Sequence, residues 1–151
     1  TLVRVGSGTG KTSMTVPAFV DSNVLVYAAT SDAAQRAKKA KAVDLIGRTE
    51  FGLSAQVLAE FYSVVTHKVR VPMAPAEALA WIERLEQLPC VAIDSGLVKR
   101  GAAISVRYQI NYWDGAIIAA AEALGAGVVY SEDMNHDQTY GTVKVLNPFI
   151  S

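Results

Sequence analysis

Only one cysteine, Cys90, occurs in 151 residues, so an intrachain disulfide and a cysteine-rich zinc site are both excluded. Its neighbours Leu88, Val91 and Ile93 mark it instead as a buried strand residue. Histidine is almost as scarce: His67, at a helix end, and His136, in a loop, each lack a partner at ligand spacing and read as surface residues. No apolar run reaches the roughly 18 residues that would span a membrane. The opening residues also lack the unbroken apolar segment of a signal peptide, so the expected compartment is the cytoplasm. An excess of one charge is missing too, since 14 basic residues meet 14 acidic ones. The basic surplus by which nucleic-acid binders usually neutralise phosphate is therefore absent. Basic residues do gather, at Arg36, Lys38, Lys39 and Lys41, at Lys68 and Arg70, and at Lys99, Arg100 and Arg107, and each group taken singly reads as a solvated helix face.

What is present is apolar and ordered in period. Hydrophobic residues make up 51% of the chain and charged ones 19%, a globular composition of a length that suits one domain with a real core. A strand over 18–20 runs into Asp21, Ser22 and Asn23, and the spacing predicts a helix over 33–46 that Gly47 stops. A brief strand over 51–53 leads into a second helix carrying Glu60 on its second turn. Pro75 opens a helix over 76–88, closed by Pro89. A strand over 91–93, a helix over 97–108 capped by Asp94 or Ser95, and a helix over 115–124 preceded by Asp114 follow. That last helix is rich enough in Ala and Ile to be buried nearly all round. Strands over 128–130 and 143–146 complete an alternation that argues for a parallel sheet covered on both faces.

Asp21, Glu60, Asp114 and Asp133 fall at strand ends and helix starts, or one turn into a helix. Such positions in an α/β chain face the crevice where these folds bind ligands. Each acid has an ordinary explanation. Asp114 would cap its helix, Asp21 would be a turn residue and Asp133 a loop residue, while Glu60, on a helix with a sparse polar face, needs a partner. Taken together, converging carboxylates would repel one another and take up protons unless a cation balanced them. Oxygen-only ligands favour Mg²⁺ or Mn²⁺ over zinc.

The stretches Phe19-Val20-Asp21-Ser22-Asn23-Val24, Ala59-Glu60-Phe61, Trp113-Asp114-Gly115-Ala116-Ile117-Ile118-Ala119-Ala120-Ala121 and Tyr130-Ser131-Glu132-Asp133-Met134 resemble the PIN-domain nucleases in order and spacing. More narrowly, they resemble the VapC toxins of bacterial toxin–antitoxin pairs, over residues 17–150 including Asn147-Pro148-Phe149. The resemblance implies a three-layer α/β/α fold on a central, mainly parallel sheet of four to five strands. It implies a Mg²⁺- or Mn²⁺-dependent endoribonuclease, acting on transfer or ribosomal RNA through metal-activated water, that is a homodimer and is neutralised by a VapB-type antitoxin. Asp21, Glu60, Asp114 and Asp133 match the family's acidic positions, as catalytic residues and metal ligands. Asn23 matches a support of the first acid and Ser131 the small hydroxyl residue before the last. Asp137 is a further acid and an uncertain ligand, in a loop where related chains differ, and His136, otherwise a surface residue, is a candidate contact for a substrate phosphate. The helices bearing Leu79 and Ile82, and Tyr62 and Val65, are the candidate dimer contacts.

Two other readings stand beside this one. Residues 6–13, from Gly6 to Ser13 through Gly10 and Lys11, look like a phosphate loop, but the glycine required five before Gly10 is Val5, and Pro17 interrupts any following helix. Residues 1–13 read rather as an extension from cloning or upstream readthrough, with 14–151 as a single PIN domain. The second alternative keeps the fold but not the role, as a PIN nuclease of ordinary RNA processing or as a non-catalytic binding module.

Overall fold

Strands that are apolar along their whole length, such as Ala18–Val20, can be satisfied only in a sheet covered on both faces. The computed structural model describes residues 15–150, so the expected extension over 1–13 and its phosphate-loop-like run lie outside the described residues. The elements in chain order are β1 (Ala18–Val20), α1 (Ser22–Ala29), α2 (Arg36–Arg48), β2 (Phe51–Ser54), α3 (Ala55–Ser63), α4 (Pro75–Leu85), β3 (Cys90–Val91), α5 (Ser95–Tyr108), α6 (Tyr112–Ala123), β4 (Val128–Tyr130), β5 (Thr139–Tyr140) and β6 (Val143–Leu146). A 3₁₀ turn, Ala33–Gln35, leads into α2, and a π-helical turn, Val64–Lys68, extends α3.

The sheet has six strands in the order β3-β2-β1-β4-β6-β5, one or two more than expected. Every neighbouring pair is parallel except β5 with β6, which closes through Gly141 at φ 64°. The extra strand is the two-residue β5, too short to show a period. Helices flank the sheet to give the three-layer α/β/α arrangement: α1 packs on α2 and α3, α3 on α4, and α5 runs along α6, which lies against β2, β4 and β6. Phe19, Leu25, Leu53, Phe61 and Ile118 form the fully buried centre of the core. No helix among the described residues is long and apolar enough to cross a membrane.

Several boundaries moved. Helix α2 runs through Gly47 to Arg48, whose Nε donates to Asp44 Oδ2 at 2.8 Å across the last turn. Helix α4 stops at Leu85, where the chain tightens through the Leu88 N–H to Leu85 C=O bond before Pro89. Cys90 is only half-buried, since β3 is the sheet's edge, and Ile93 is exposed beyond it. Burial still pushes the Cys90 thiol above its ordinary pKa. Val65 packs into the chain's own core, leaving Leu79 as the more exposed of the apolar residues proposed for a dimer contact.

Helices α5 and α6 cross at glycines. A Cβ on Gly115 would meet the Gly101 carbonyl oxygen at 2.5 Å and the Ser105 amide nitrogen at 3.1 Å. Both are backbone atoms that cannot swing aside. Gly115→Ala is therefore expected to destabilise the fold by about 1–3 kcal/mol, the usual cost of overpacking, as read by urea denaturation. An unchanged midpoint would contradict the close crossing.

Candidate active site

Strand order reverses at β1: β2 and β3 lie to one side, and β4 and β6 to the other. In an open parallel sheet the crevice at such a reversal, beyond the carboxyl ends of the strands, is the natural ligand site. Asp21 follows β1 there and Ser131 follows β4, and the register pairing Val20 with Tyr130 sets them side by side. Ser131 Oγ donates to Asp21 Oδ2 at 2.8 Å, and the Ser22 amide donates to Asp21 Oδ1 at 2.7 Å. Asp21 is thus also the N-cap of α1, so the ordinary reading of this acid is correct as far as it goes.

Asn23 ties the strand ends together. Its Nδ2 lies 3.1 Å from Asp133 Oδ2, 3.2 Å from Ser131 Oγ and 3.4 Å from Asp21 Oδ2, while its Oδ1 accepts from the Glu132 amide. Glu60 reaches the cluster from α3, where Ser22 Oγ donates to its Oε1 and Gln56 Nε2 to its Oε2, both at 3.2 Å. Asp114 does not precede its helix. Helix α6 begins at Tyr112 with Asn111 as its cap, and Asp114 lies in the first turn. Asn111 accepts from the Asp114 amide at 2.9 Å and donates to the Asp114 carboxylate at 3.0 Å, fixing both ends of that residue.

The four acids behave as one electrostatic unit. Burial pushes the Asp21 carboxyl up to about 6; the Ser131 and Ser22 hydrogen bonds restrain it, and the charges of Glu60 and Asp133 raise it further. Asp114 is also raised, first by burial and then by Asp133 and Glu60, against the hydrogen bond from Asn111. The Lys or Arg pairs described in the chain go elsewhere: Lys38 to Glu132, Arg48 to Asp44, Arg70 to Asp32 and Lys144 to Asp137. A cluster of carboxylates without an internal cation, offering only oxygen donors, fits a hard divalent ion. Among the described residues no three or more Asp, Glu, His or Cys side chains are grouped so as to hold a metal ion together. Mg²⁺ does not require that, because it keeps several waters and takes one or two carboxylates directly.

Asp137 lies apart from the unit. Lys144 Nζ holds its carboxylate at 2.9 Å and keeps its pKa below the ordinary range, and its charged neighbours are Lys144 and His136. His136 is occupied as well, its Nδ1 accepting from the Asn147 amide at 2.9 Å, and His67 is exposed beside Thr66. Gln56, Ser22 and Asn111 went unnoticed as members of the site. The spacing of Gln56 four before Glu60, and of Asn111 three before Asp114, was the available signal. Two openings flank the acids. A groove of about 590 Å³ runs from Asn23 and Asp133 to Lys68 and Arg70, and an apolar slot of about 360 Å³ lies between Glu60, Ile93 and Trp113.

A family model described as PIN domain matches residues 18–141. No curated protein matches in sequence. Among solved structures, the chain is similar to VapC20 of Mycobacterium tuberculosis, a sarcin-ricin loop cleaving toxin, at 19% identity and TM-score 0.61, covering 76% of this chain and 88% of that one. A toxin–antitoxin complex from Klebsiella pneumoniae matches at 15% identity and TM-score 0.62, covering 87% and 97%. FitAcB from Neisseria gonorrhoeae matches at 21% identity and TM-score 0.56, covering 87% and 98%. At these identities the likeness to solved structures is one of fold.

The raised Asp21 carboxyl has a measurable consequence in metal-free protein. Below about pH 4 the group is protonated whether folded or unfolded, and its burial carries no ionisation penalty. Between about pH 4 and the folded value of about 6, the unfolded chain ionises first, so stability falls as pH rises. Above that window the penalty is constant at about 3 kcal/mol. In chelator, Asp21→Asn is expected to gain stability over the unsubstituted protein across this window and to level off above it, as followed by thermal melts. A difference independent of pH would contradict the assignment.

Proposed function

This chain belongs to the PIN-domain family, and from that premise we propose that it is a Mg²⁺- or Mn²⁺-dependent endoribonuclease of the toxin type, neutralised by a VapB-type antitoxin. The observation that carries the proposal is the gathering of Asp21, Glu60, Asp114 and Asp133 at the strand reversal, where the charges of Glu60 and Asp133 add to the raised Asp21 and Asp114 carboxyls. Solved structures of similar fold described as toxins or toxin–antitoxin complexes support the biological role.

In this reading the four acids hold the cation, Asn23 and Ser131 orient Asp21 and Asp133, and Gln56 and Ser22 orient Glu60. When bound, the metal supplies a water of lowered pKa and stabilises charge on the scissile phosphate. Glu60 borders the apolar slot and sits on the second turn of α3, where its carboxylate would serve as a proton acceptor. No covalent nucleophile is required, and Ser22 is already committed to Glu60. The groove ending at Lys68 and Arg70 offers a path by which an antitoxin segment would reach the acids. A homodimer built in part on exposed Leu79, acting in the cytoplasm on transfer or ribosomal RNA, completes the proposal.

Asp21→Asn and Asp114→Asn, each close to isosteric, are expected to lower Mg²⁺- or Mn²⁺-dependent RNA cleavage by ~100-fold or more, because several kcal/mol of charge stabilisation is lost at about 1.4 kcal/mol per tenfold. Cleavage of labelled RNA, with sequencing of the new ends, is the assay. Cleavage that persists unchanged in both variants, or in chelator, contradicts the proposal.

A further inference from the structure

Ser131 and Asp133 both turn toward Asn23, while Glu132 between them turns away and is gripped from the other side. Tyr27 Oη donates to Glu132 Oε1 at 2.6 Å, and Lys38 Nζ donates to Glu132 Oε2 at 2.6 Å. The same ammonium donates to Tyr27 Oη at 3.2 Å and stands 4.8 Å from the Tyr27 ring centroid and 5.6 Å from that of Phe149. Phe149 in turn meets Tyr27 edge to face at 5.0 Å. Lys38, which reads from the sequence as part of a solvated helix face, is therefore caged by one carboxylate and two aromatic rings.

Asn23 and Tyr27 are one turn apart on α1, so a single helix face holds this segment by both the Glu132 amide and the Glu132 side chain. The arrangement matters because Asp133 has few supports of its own. Among the described residues its carboxylate meets only the exposed bond from Asn23, and its amide donates to Ser131 Oγ. Where Asp133 points is thus set largely by the backbone path through Glu132. A half-exposed pair of this kind contributes little to global stability, whereas groups that orient metal-binding carboxylates commonly govern metal affinity.

We propose that Glu132 is a positioning residue which, clamped by Lys38 and Tyr27, aims Asp133 at the cation site formed with Asp21, Glu60 and Asp114. The inference rests on the metal-dependent reading above. It assigns a role to an acid that neither reacts nor ligates, and to a lysine and a tyrosine outside the site.

Mn²⁺ titration of the full chain, followed by the electron paramagnetic resonance signal of free Mn²⁺, tests this without reference to cleavage. Glu132→Ala is expected to weaken Mn²⁺ binding ~10-fold, the lower end of what loss of an outer-shell partner costs. Lys38→Met should weaken binding in the same direction, and the double variant should do no worse than Glu132→Ala, since both act through one contact. Glu132→Gln keeps an acceptor for Tyr27 and should recover part of the loss. Tyr27→Phe, which removes only the hydroxyl, should weaken binding several-fold and serves if Glu132→Ala fails to fold. Mn²⁺ affinity in these variants within about 2-fold of the unsubstituted protein, whatever their melting temperatures, would overturn the positioning role alone. Absence of Mn²⁺ binding in the unsubstituted protein would overturn the metal reading and the positioning role together.

Discussion

The structure turns on one buried carboxylate. Asp21 is 6% exposed at the end of β1, a place where an ionised group keeps its charge only if donors or a cation compensate for lost water. Two donors are present, the Ser22 amide and the Ser131 hydroxyl, and each serves a second purpose. The amide starts α1, and the hydroxyl belongs to the neighbouring strand across the reversal point. Charge placement and fold are therefore coupled: the register of β1 with β4 is what brings Ser131 within reach. The hydrogen bonds do not complete the compensation, because Asp21 remains raised to about 6 with Glu60 and Asp133 adding to the repulsion. That shortfall of positive charge is what the proposed cation would make good.

The other acids are carried by elements whose packing leaves little freedom. Asp114 is delivered by α6, whose face from Gly115 to Ala121 is buried throughout and whose contact with α5 admits no side chain at Gly115. Glu60 stands on α3 beside fully buried Phe61, with Gln56 linking it to the Trp113 carbonyl and so to α6. Rigid helices supply two acids, and strand ends with their turns supply the other two. This is the kind of support a site needs if its groups are to hold position when charged.

Much of this was legible from residues alone, for a physical reason. Central parallel strands are apolar throughout, so β1 and β4 stand out as runs that end abruptly in Asp21 and in Ser131 to Asp133. Alternation with amphipathic segments then implies a covered sheet, and the family resemblance selects among its acids. Contacts between distant residues were not legible. Lys38 and Glu132 are separated by 94 positions, and Lys38 looked like any lysine on a helix face. Asn111 was overlooked because the apolar run after Asp114 drew the helix start to Gly115, when the cap lies three residues before that acid. Asp137, which the resemblance admits as an uncertain ligand, pairs with Lys144 of β6 across positions that no local pattern connects. Short β5 and half-buried Cys90 on edge strand β3 depend on sheet order, which no local pattern encodes.

The central claim is that the four carboxylates form one divalent-cation site. Its most direct test is a crystal of the full chain grown or soaked with Mn²⁺ and measured for anomalous scattering. A peak among Asp21, Glu60, Asp114 and Asp133, with oxygens of at least one of these carboxylates at about 2.0–2.2 Å as for hard-cation ligands, is the predicted result. A fully soaked crystal showing no peak there, or showing Mn²⁺ only at other carboxylates such as Asp44 or Asp137, would contradict it.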